Sequence, residues 1–176
     1  MLGNHRATGL YRPAEADNFA AQWAAHLHAL HAGHRRMKDQ IHTGVANLGN
    51  TSPVLLRSAI ERHPKVPFVL LHGYPYLSEA INLARFYEYV FFDLSWLQLL
   101  SPSILATALR EAIGFVPMNK MLLSTDATSP EEPYGAAIGL RRVLACVLEE
   151  KVRMDGWNET LALDVAYALL HESFCA

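Results

Sequence analysis

The sequence has little cysteine, no long hydrophobic run and no excess of charge of either sign. Two cysteines, Cys146 and Cys175, cannot form a disulfide framework and favour a reducing compartment. Residues 1–13 contain no apolar run of signal-peptide length, and no other stretch is long enough to span a bilayer. A formal net charge of −2 gives no electrostatic reason to expect a nucleic acid or a membrane surface as partner. These absences predict a soluble, cytoplasmic globular chain.

The sequence also has no low-complexity linker and no glycine-rich phosphate loop after any predicted strand. The missing loop argues against a self-contained open-sheet domain that binds nucleotides. Hydrophobic residues make up 51% of the 176 residues and charged residues 18%, a composition that excludes a disordered chain and provides for a sizeable core. We therefore expect one folded domain over residues 17–176, preceded by an irregular segment, residues 1–16.

The sequence does have a regular alternation of helical and extended segments. Apolar residues at helical spacing predict a first helix over residues 17–33. Four strands are predicted after it, at residues 40–43, 66–71, 89–92 and 121–124. Further helices are predicted to begin at Ser52-Pro53, Leu77, Ser101-Pro102, Ser129-Pro130 and Asn158. Strands separated by helices imply a parallel α/β sheet, either a small open doubly wound sheet or half of a (β/α)8 barrel.

Ionisable side chains stand at or just after the ends of all four predicted strands, namely His42, His72, Asp93 and Asp126. The carboxyl ends of parallel strands form the active-site face of such folds, so we expect these groups on one rim. Imidazole nitrogens and carboxylate oxygens suit a divalent ion such as zinc. Taken singly, each residue has an ordinary alternative: the histidines as packing residues, Asp93 as a cap of its loop, and Asp126 as a turn residue. Their recurrence on four strands favours a site.

Two other groups of residues have both a functional and a structural interpretation. His26 and His28 form an H-x-H pair, but on a helix residues two apart diverge by roughly 200° and cannot share one ion. We interpret this pair as part of a solvated helix face. Tyr74, Tyr76 and Trp96 follow strand ends and are candidates, with Asp93, to line a substrate pocket; they could also merely cover the rim.

Four short segments carry the strand-end side chains: Gln40-Ile41-His42-Thr43-Gly44, Val69-Leu70-Leu71-His72-Gly73-Tyr74-Pro75-Tyr76, Phe91-Phe92-Asp93-Leu94-Ser95 and Leu123-Ser124-Thr125-Asp126-Ala127. In order and spacing they resemble the amidohydrolase-related family, metal-dependent TIM-barrel hydrolases of the amidohydrolase superfamily. The likeness is greatest to the branch fused to glutamine-synthetase-like domains in some fungal and plant proteins, and it covers roughly residues 17 to 174. It implies that the predicted strands are strands five to eight, the C-terminal half of the barrel.

The resemblance also implies roles for individual residues. His42 would be a metal ligand, and His72 would be a second ligand or a group that polarises the substrate carbonyl. Asp126 would bind the metal and accept the proton of the attacking water. The metal would be zinc, with manganese as the alternative. The substrate would be a small molecule with a C–N or C–O bond next to a carbonyl, although relatives that decarboxylate or isomerise use similar constellations.

The H-x-H pair that the first strand supplies in this family is missing from the sequence. His26 and His28 fall in the helix predicted before the first predicted strand, so they do not replace it. We therefore expect a truncated chain that is weakly active or inactive alone. The alternative is a non-enzymatic half barrel whose exposed strand edges pair with a second copy or with a complementary half barrel.

Overall fold

The computed structural model of the protein describes residues 39–45, 48–126, 128–129 and 131–172. The predicted irregular segment 1–16 and the predicted helix 17–33, with His26 and His28, lie outside the described residues. Cys175 also lies outside them. Among the helices that the structure does describe, none is both long enough and apolar enough to cross a membrane.

A parallel sheet of four strands organises the described part of the chain. Its strands are β1 (Asp39–Thr43), β2 (Phe68–His72), β3 (Val90–Asp93) and β4 (Met121–Leu122). They lie side by side in chain order, β1-β2-β3-β4, with no reversal of order. A doubly wound sheet reverses its strand order at a switch point, whereas successive strands of a barrel do not. The order confirms the half-barrel prediction.

The strand boundaries differ slightly from those predicted. The second strand begins at Phe68 and not at Val66, because Pro67 has no N–H to donate to the ladder. It also runs one residue further than predicted, to His72, which pairs in register with Thr43. The last strand is shorter than predicted and ends at Leu122, whose carbonyl accepts from the N–H of Leu94.

Helical segments follow each strand. They are α1 (Arg57–Arg62), α2 (Leu77–Phe86), α3 (Leu97–Leu100), α4 (Pro102–Ala112), α5 (Glu132–Met154) and α6 (Glu159–Tyr167). A 3-10 turn, Pro53–Leu56, leads into α1, another, Met118–Lys120, precedes β4, and a π-helical turn, Ala168–Glu172, follows α6. The single-turn helix α3 was not predicted.

Side-chain caps fix the start of two of these helices as the sequence predicts. The hydroxyl of Ser101 accepts from the N–H of Ser103 at the start of α4, and the amide oxygen of Asn158 accepts from the N–H of Leu161 in α6. Ser52 stands at the N-cap position with Pro53 after it, as predicted, but its side chain makes no capping bond. Its hydroxyl donates to the carboxylate of Glu79 on α2 instead, so Ser52 joins two helical segments.

The hydrophobic core lies between the sheet and the helices. Alternate residues of β2 and β3 enter it, among them Phe68, Leu70 and Phe92, which are almost completely buried. Leu105 and Leu109 of α4 are equally buried and belong to the same cluster. Because this core fixes the strands from one side, it also fixes the positions at which their carboxyl ends emerge.

The loops after β1 and β2 are joined by backbone hydrogen bonds. The N–H of Val45 donates to the carbonyl of Tyr74 at 2.7 Å, and the N–H of Gly73 donates to the carbonyl of Thr43 at 3.1 Å. Gly44, at φ +66°, approaches so closely that a Cβ there would lie 2.0 Å from the carbonyl oxygen of Tyr74. Only glycine permits this close approach, and it adopts the left-handed conformation without strain.

Gly44→Ala should therefore destabilise the fold more than an alanine at a left-handed glycine in open space. Gly156 is the matched control, because it has φ +74° and a Cβ added there would meet nothing within 4 Å. We expect Gly156→Ala to cost about 1–2 kcal/mol of unfolding free energy, the penalty for a left-handed alanine. Gly44→Ala should cost a further ~1–3 kcal/mol because of the steric overlap. Urea unfolding of both variants measures this, and equal costs would contradict it.

Candidate metal centre

Left-handed backbone is concentrated at the carboxyl ends of the strands. Four non-glycine residues have positive φ in the described part of the chain: Val45, His72, Trp96 and Asp126, at 49°, 65°, 65° and 47°. One of them stands at or shortly after the end of each of the four strands. Such conformations cost of order 1–3 kcal/mol each and occur preferentially at functional sites. Three of the four residues, His72, Trp96 and Asp126, are predicted site residues.

His72 is the fixed centre of this rim. Its side chain is fully buried, and its Nδ1 lies 2.8 Å from the carbonyl oxygen of Ser95. A carbonyl can only accept, so Nδ1 carries the proton and donates it to Ser95. Nε2 is then left with its lone pair. This is the arrangement that fixes the tautomer and orientation of metal-binding histidines, whose second nitrogen donates to a carbonyl or carboxylate.

The other two predicted ligands adjoin this lone pair. Nδ1 of His42 lies 3.1 Å from Nε2 of His72, and Oδ2 of Asp126 lies 3.5 Å from the same atom. Zinc ligands about 2.1 Å from the ion at tetrahedral angles are themselves roughly 3.4 Å apart. The observed separations are of this size. The structure thus brings His42, His72 and Asp126 together, and two imidazoles with one carboxylate fit a zinc-type ion.

The three side chains do not converge on a common point. Among the residues that the structure describes, no group of three or more histidine, cysteine or acidic side chains is arranged to hold an ion. His42 is exposed, and the side chain of Asp126 is 54% exposed, whereas His72 is fully buried. Only His72 is therefore fixed by packing, and the two rim residues have room to adjust to a ligand.

The electrostatics keep His42 in its metal-binding form. Partial burial lowers the pKa of His42, the neighbouring His72 lowers it further, and the carboxylate of Asp126 partly opposes both effects. A lowered pKa keeps the imidazole neutral at physiological pH. Neutral imidazole is the form that binds metal ions.

Asp93 occupies a different place from the other three. It is only 4% exposed, and its Oδ1 accepts from the N–H of Ser95 at 2.8 Å. The hydroxyl of Ser124 donates to both of its oxygens, at 3.3 Å each. Burial raises the pKa of Asp93, although the bonds from Ser95 and Ser124 oppose the shift. The carboxylate thus caps the loop after β3, one of the two roles that the sequence allowed.

The predicted pocket aromatics lie around the same rim. The Trp96 ring is half-buried, with its centroid 5.7 Å from that of His72. Tyr74 is 38% exposed, and the hydroxyl of Tyr76 donates to the carbonyl of Leu48 in the loop after β1. Trp96 therefore covers one side of His72, while Tyr76 joins the first two rim loops.

Three residues that support the site were not singled out in the sequence. Ser95 acts through its backbone and also through its hydroxyl, whose Oγ lies 3.3 Å from Nδ1 of His72. Ser124 acts through its hydroxyl. Gln98 of α3 is buried, and its amide nitrogen donates to the carbonyls of Ser124 and Thr125 at 3.4 and 3.2 Å. The Asp-x-Ser spacing of Asp93 and Ser95 is a turn signal that could have revealed the first. Nothing in the local sequence indicates the other two.

Comparisons with known proteins agree with this fold. Residues 12–167 match the family model for amidohydrolases. The chain is 41% identical over 138 residues to the fluG protein of Emericella nidulans, an alignment that covers 74% of this chain and 16% of that protein. A solved structure from Lactobacillus casei, named as a metal-dependent hydrolase, has the same fold with a TM-score of 0.69 and 24% identity.

The Lactobacillus casei match covers 90% of this chain and 41% of the other. The chain therefore spans less than half the length of either relative. Its four parallel strands, alternating with helices, correspond to half of a TIM barrel. Because the family model matches most of its length, the chain belongs to the amidohydrolase family.

Proposed function

We propose that the protein is a metal-dependent hydrolase in which His42, His72 and Asp126 bind one divalent ion. The observation that supports this most strongly is the state of His72. Its Nδ1 is committed to the carbonyl of Ser95, and its Nε2 is hydrogen-bonded to Nδ1 of His42 at 3.1 Å and lies 3.5 Å from Oδ2 of Asp126. A buried lone pair beside a carboxylate oxygen is unfavourable unless a proton or a metal ion lies between them.

Zinc is the ion that we propose, with manganese as the alternative. Two imidazole nitrogens and one carboxylate oxygen are the ligands of a borderline ion, and three protein ligands leave a position for water. When bound, such an ion would lower the pKa of a water molecule towards neutrality. The family membership supports a metal without fixing its identity.

The chain's own residues would then move the proton and position the substrate. The exposed carboxylate of Asp126 accepts the proton of the attacking water at an Oδ atom and returns it to the leaving group. Nε2 of His72 stays aimed at the site because Ser95 holds Nδ1. The half-buried indole of Trp96 excludes solvent from one side of His72, and we propose that it lines the substrate pocket with Tyr74 and Tyr76. Asp93 is buried and holds the loop after β3.

The proposed substrate is a small molecule with a C–N or C–O bond next to a carbonyl. Decarboxylation and isomerisation by the same constellation remain alternatives within the family. The described residues provide three donors, and the matched relatives are more than twice as long as this chain. We therefore propose that full activity needs groups beyond the described residues. The described residues alone would be weakly active.

Zinc titration of the full chain by calorimetry tests the proposal. We expect one ion per chain, and at least a tenfold loss of affinity in Asp126→Asn, since asparagine tolerates φ 47° and lacks the charge. Asp164→Asn, an exposed change on α6, is the control and should bind as the wild type does. Hydrolysis of a chromogenic anilide and of the matching ester then separates the two substrate bonds. A wild-type chain that binds no zinc and no manganese would contradict the proposal.

The edges of the sheet support a second proposal, that two copies of the chain associate. In the described residues β1 pairs only with β2, and β4 only with β3. Unpaired edge strands offer rows of N–H and C=O groups to another chain. We expect sedimentation velocity at micromolar concentration to show a dimer. A monodisperse monomer would contradict this, and a complementary half barrel would then be the remaining candidate partner.

A further inference from the structure

We propose that Asp93 is a positioning residue that holds two of the candidate ligands, His72 and Asp126, in place relative to each other. This inference rests on the metal site proposed above. Asp93 does not belong to the ligand set itself. It acts through one residue on each side, Ser95 towards His72 and Ser124 towards Asp126.

The first connection runs from Asp93 to His72. Oδ1 of Asp93 accepts from the N–H of Ser95 at 2.8 Å, and the carbonyl of the same Ser95 accepts from Nδ1 of His72 at 2.8 Å. The carboxylate therefore fixes the peptide units that select the tautomer of His72. Nε2 can meet a metal ion only while Nδ1 keeps the proton.

The second connection runs from Asp93 to the loop of Asp126. The hydroxyl of Ser124, two residues before Asp126, donates to both oxygens of Asp93 at 3.3 Å. The amide nitrogen of Gln98 holds the carbonyls of Ser124 and Thr125 in the same loop. Asp126 is left-handed and half-exposed, so the position of its carboxylate depends on these anchors.

The burial of Asp93 shows that more than a loop cap is involved. A cap needs only the bond to Ser95, two residues away on the same loop. Burying a carboxylate is costly unless several donors compensate it. Here the donors come from two loops, after β3 and after β4, and the residue is 4% exposed. The one side chain therefore joins the loops that carry His72's partner and Asp126.

The test compares zinc binding of the full chain in Asp93→Ala, Asp93→Asn and Ser124→Ala. Loss of a group that orients a ligand typically costs 10–100-fold in metal affinity, and we expect this for Asp93→Ala. Asp93→Asn should recover most of the affinity, because its amide oxygen still accepts from Ser95 and its amide nitrogen can donate to Ser124. Ser124→Ala should weaken binding less than Asp93→Ala does, since only the Asp126 loop is released. Asp164→Asn is again the control.

The proton on Nδ1 of His72 gives a readout that needs no metal. In the zinc-free protein we expect a downfield imidazole N–H signal that disappears in Asp93→Ala and persists in Asp93→Asn and Ser124→Ala. Persistence of that signal in Asp93→Ala, together with unchanged zinc affinity, would overturn the inference. If Asp93→Ala does not fold, a zinc affinity of Ser124→Ala equal to that of Asp164→Asn overturns the inference as well.

The same pair of readouts separates this inference from the proposed function. A wild type that binds no metal, combined with a His72 signal lost only in Asp93→Ala, overturns the metal site and leaves the positioning of His72 supported. A wild type that binds zinc, combined with an Asp93→Ala variant of equal affinity, overturns the positioning role and leaves the metal site standing.

Discussion

Replacement of His72 by asparagine should reduce zinc affinity by at least about 100-fold. Loss of a residue that supports a ligand typically reduces metal affinity 10–100-fold, and loss of the ligand itself should reduce it more. His72 is the residue that both other candidate ligands adjoin, so its loss should remove the site as a whole. Asparagine tolerates the left-handed conformation at φ 65°, which limits the effect on folding. Calorimetric titration with zinc measures the loss.

The control for this experiment is a histidine that lies far in sequence from the residues at the strand ends. The sequence contains nine histidines, and any of them could bind zinc weakly. His171 is exposed and its ring lies 5.0 Å from that of Tyr167, in the last turn described. His171→Asn should bind zinc as tightly as the wild type. Equal losses in the two variants would mean that the zinc is bound nonspecifically.

Zinc affinity should fall as the pH is lowered, but less steeply than for a ligand histidine of ordinary pKa. Between pH 7.5 and 5.5 the neutral fraction of a histidine with a pKa near 6.5 falls about tenfold. The pKa of His42 is lowered, chiefly by burial and then by His72, so it stays neutral over more of this range. Titration of the His42 ring protons by NMR, alongside zinc binding at each pH, checks the expectation.

Two variants should move the titration midpoint of His42 in opposite directions. Asp126→Asn removes the carboxylate that raises the pKa of His42, so the midpoint should move further down. His72→Asn removes the neighbouring imidazole that lowers the pKa of His42, so the midpoint should move up. A midpoint of His42 above 6.5 in the wild type, or no response to either change, would contradict this expectation.

The same shift has a consequence for stability. Since the pKa of His42 is lower in the folded chain than its ordinary value, the unfolded chain takes up this proton first as the pH falls. The contribution of His42 to stability is therefore constant above about pH 6.5 and decreases between that pH and its folded pKa.

The sheet and the positions of the candidate ligands could be predicted from the sequence because they follow from local patterns. Continuous apolar runs predicted β2 and β3, and the rule that carboxyl strand ends share one rim placed His42, His72 and Asp126 together. No strand boundary shifted by more than two residues. The two largest shifts are at the start of β2, where Pro67 cannot donate to the ladder, and at the end of β4.

The support of the site could not be predicted in the same way. The partner of His72 is a backbone carbonyl, which every residue possesses, so no residue type indicates it. The bond from Ser124 to Asp93 joins residues 31 positions apart, and it depends on the register of β3 with β4. Gln98 lies on the single-turn helix α3, too short for a periodic signal. Such contacts are set by tertiary structure.

The most direct test of the metal site is a crystal structure of the full chain grown with zinc, with the ion located by its anomalous scattering. We expect one ion within about 2.0–2.2 Å of Nε2 of His72, a nitrogen of His42 and an oxygen of Asp126. An ion bound elsewhere, with these three side chains turned apart, would contradict the proposed site.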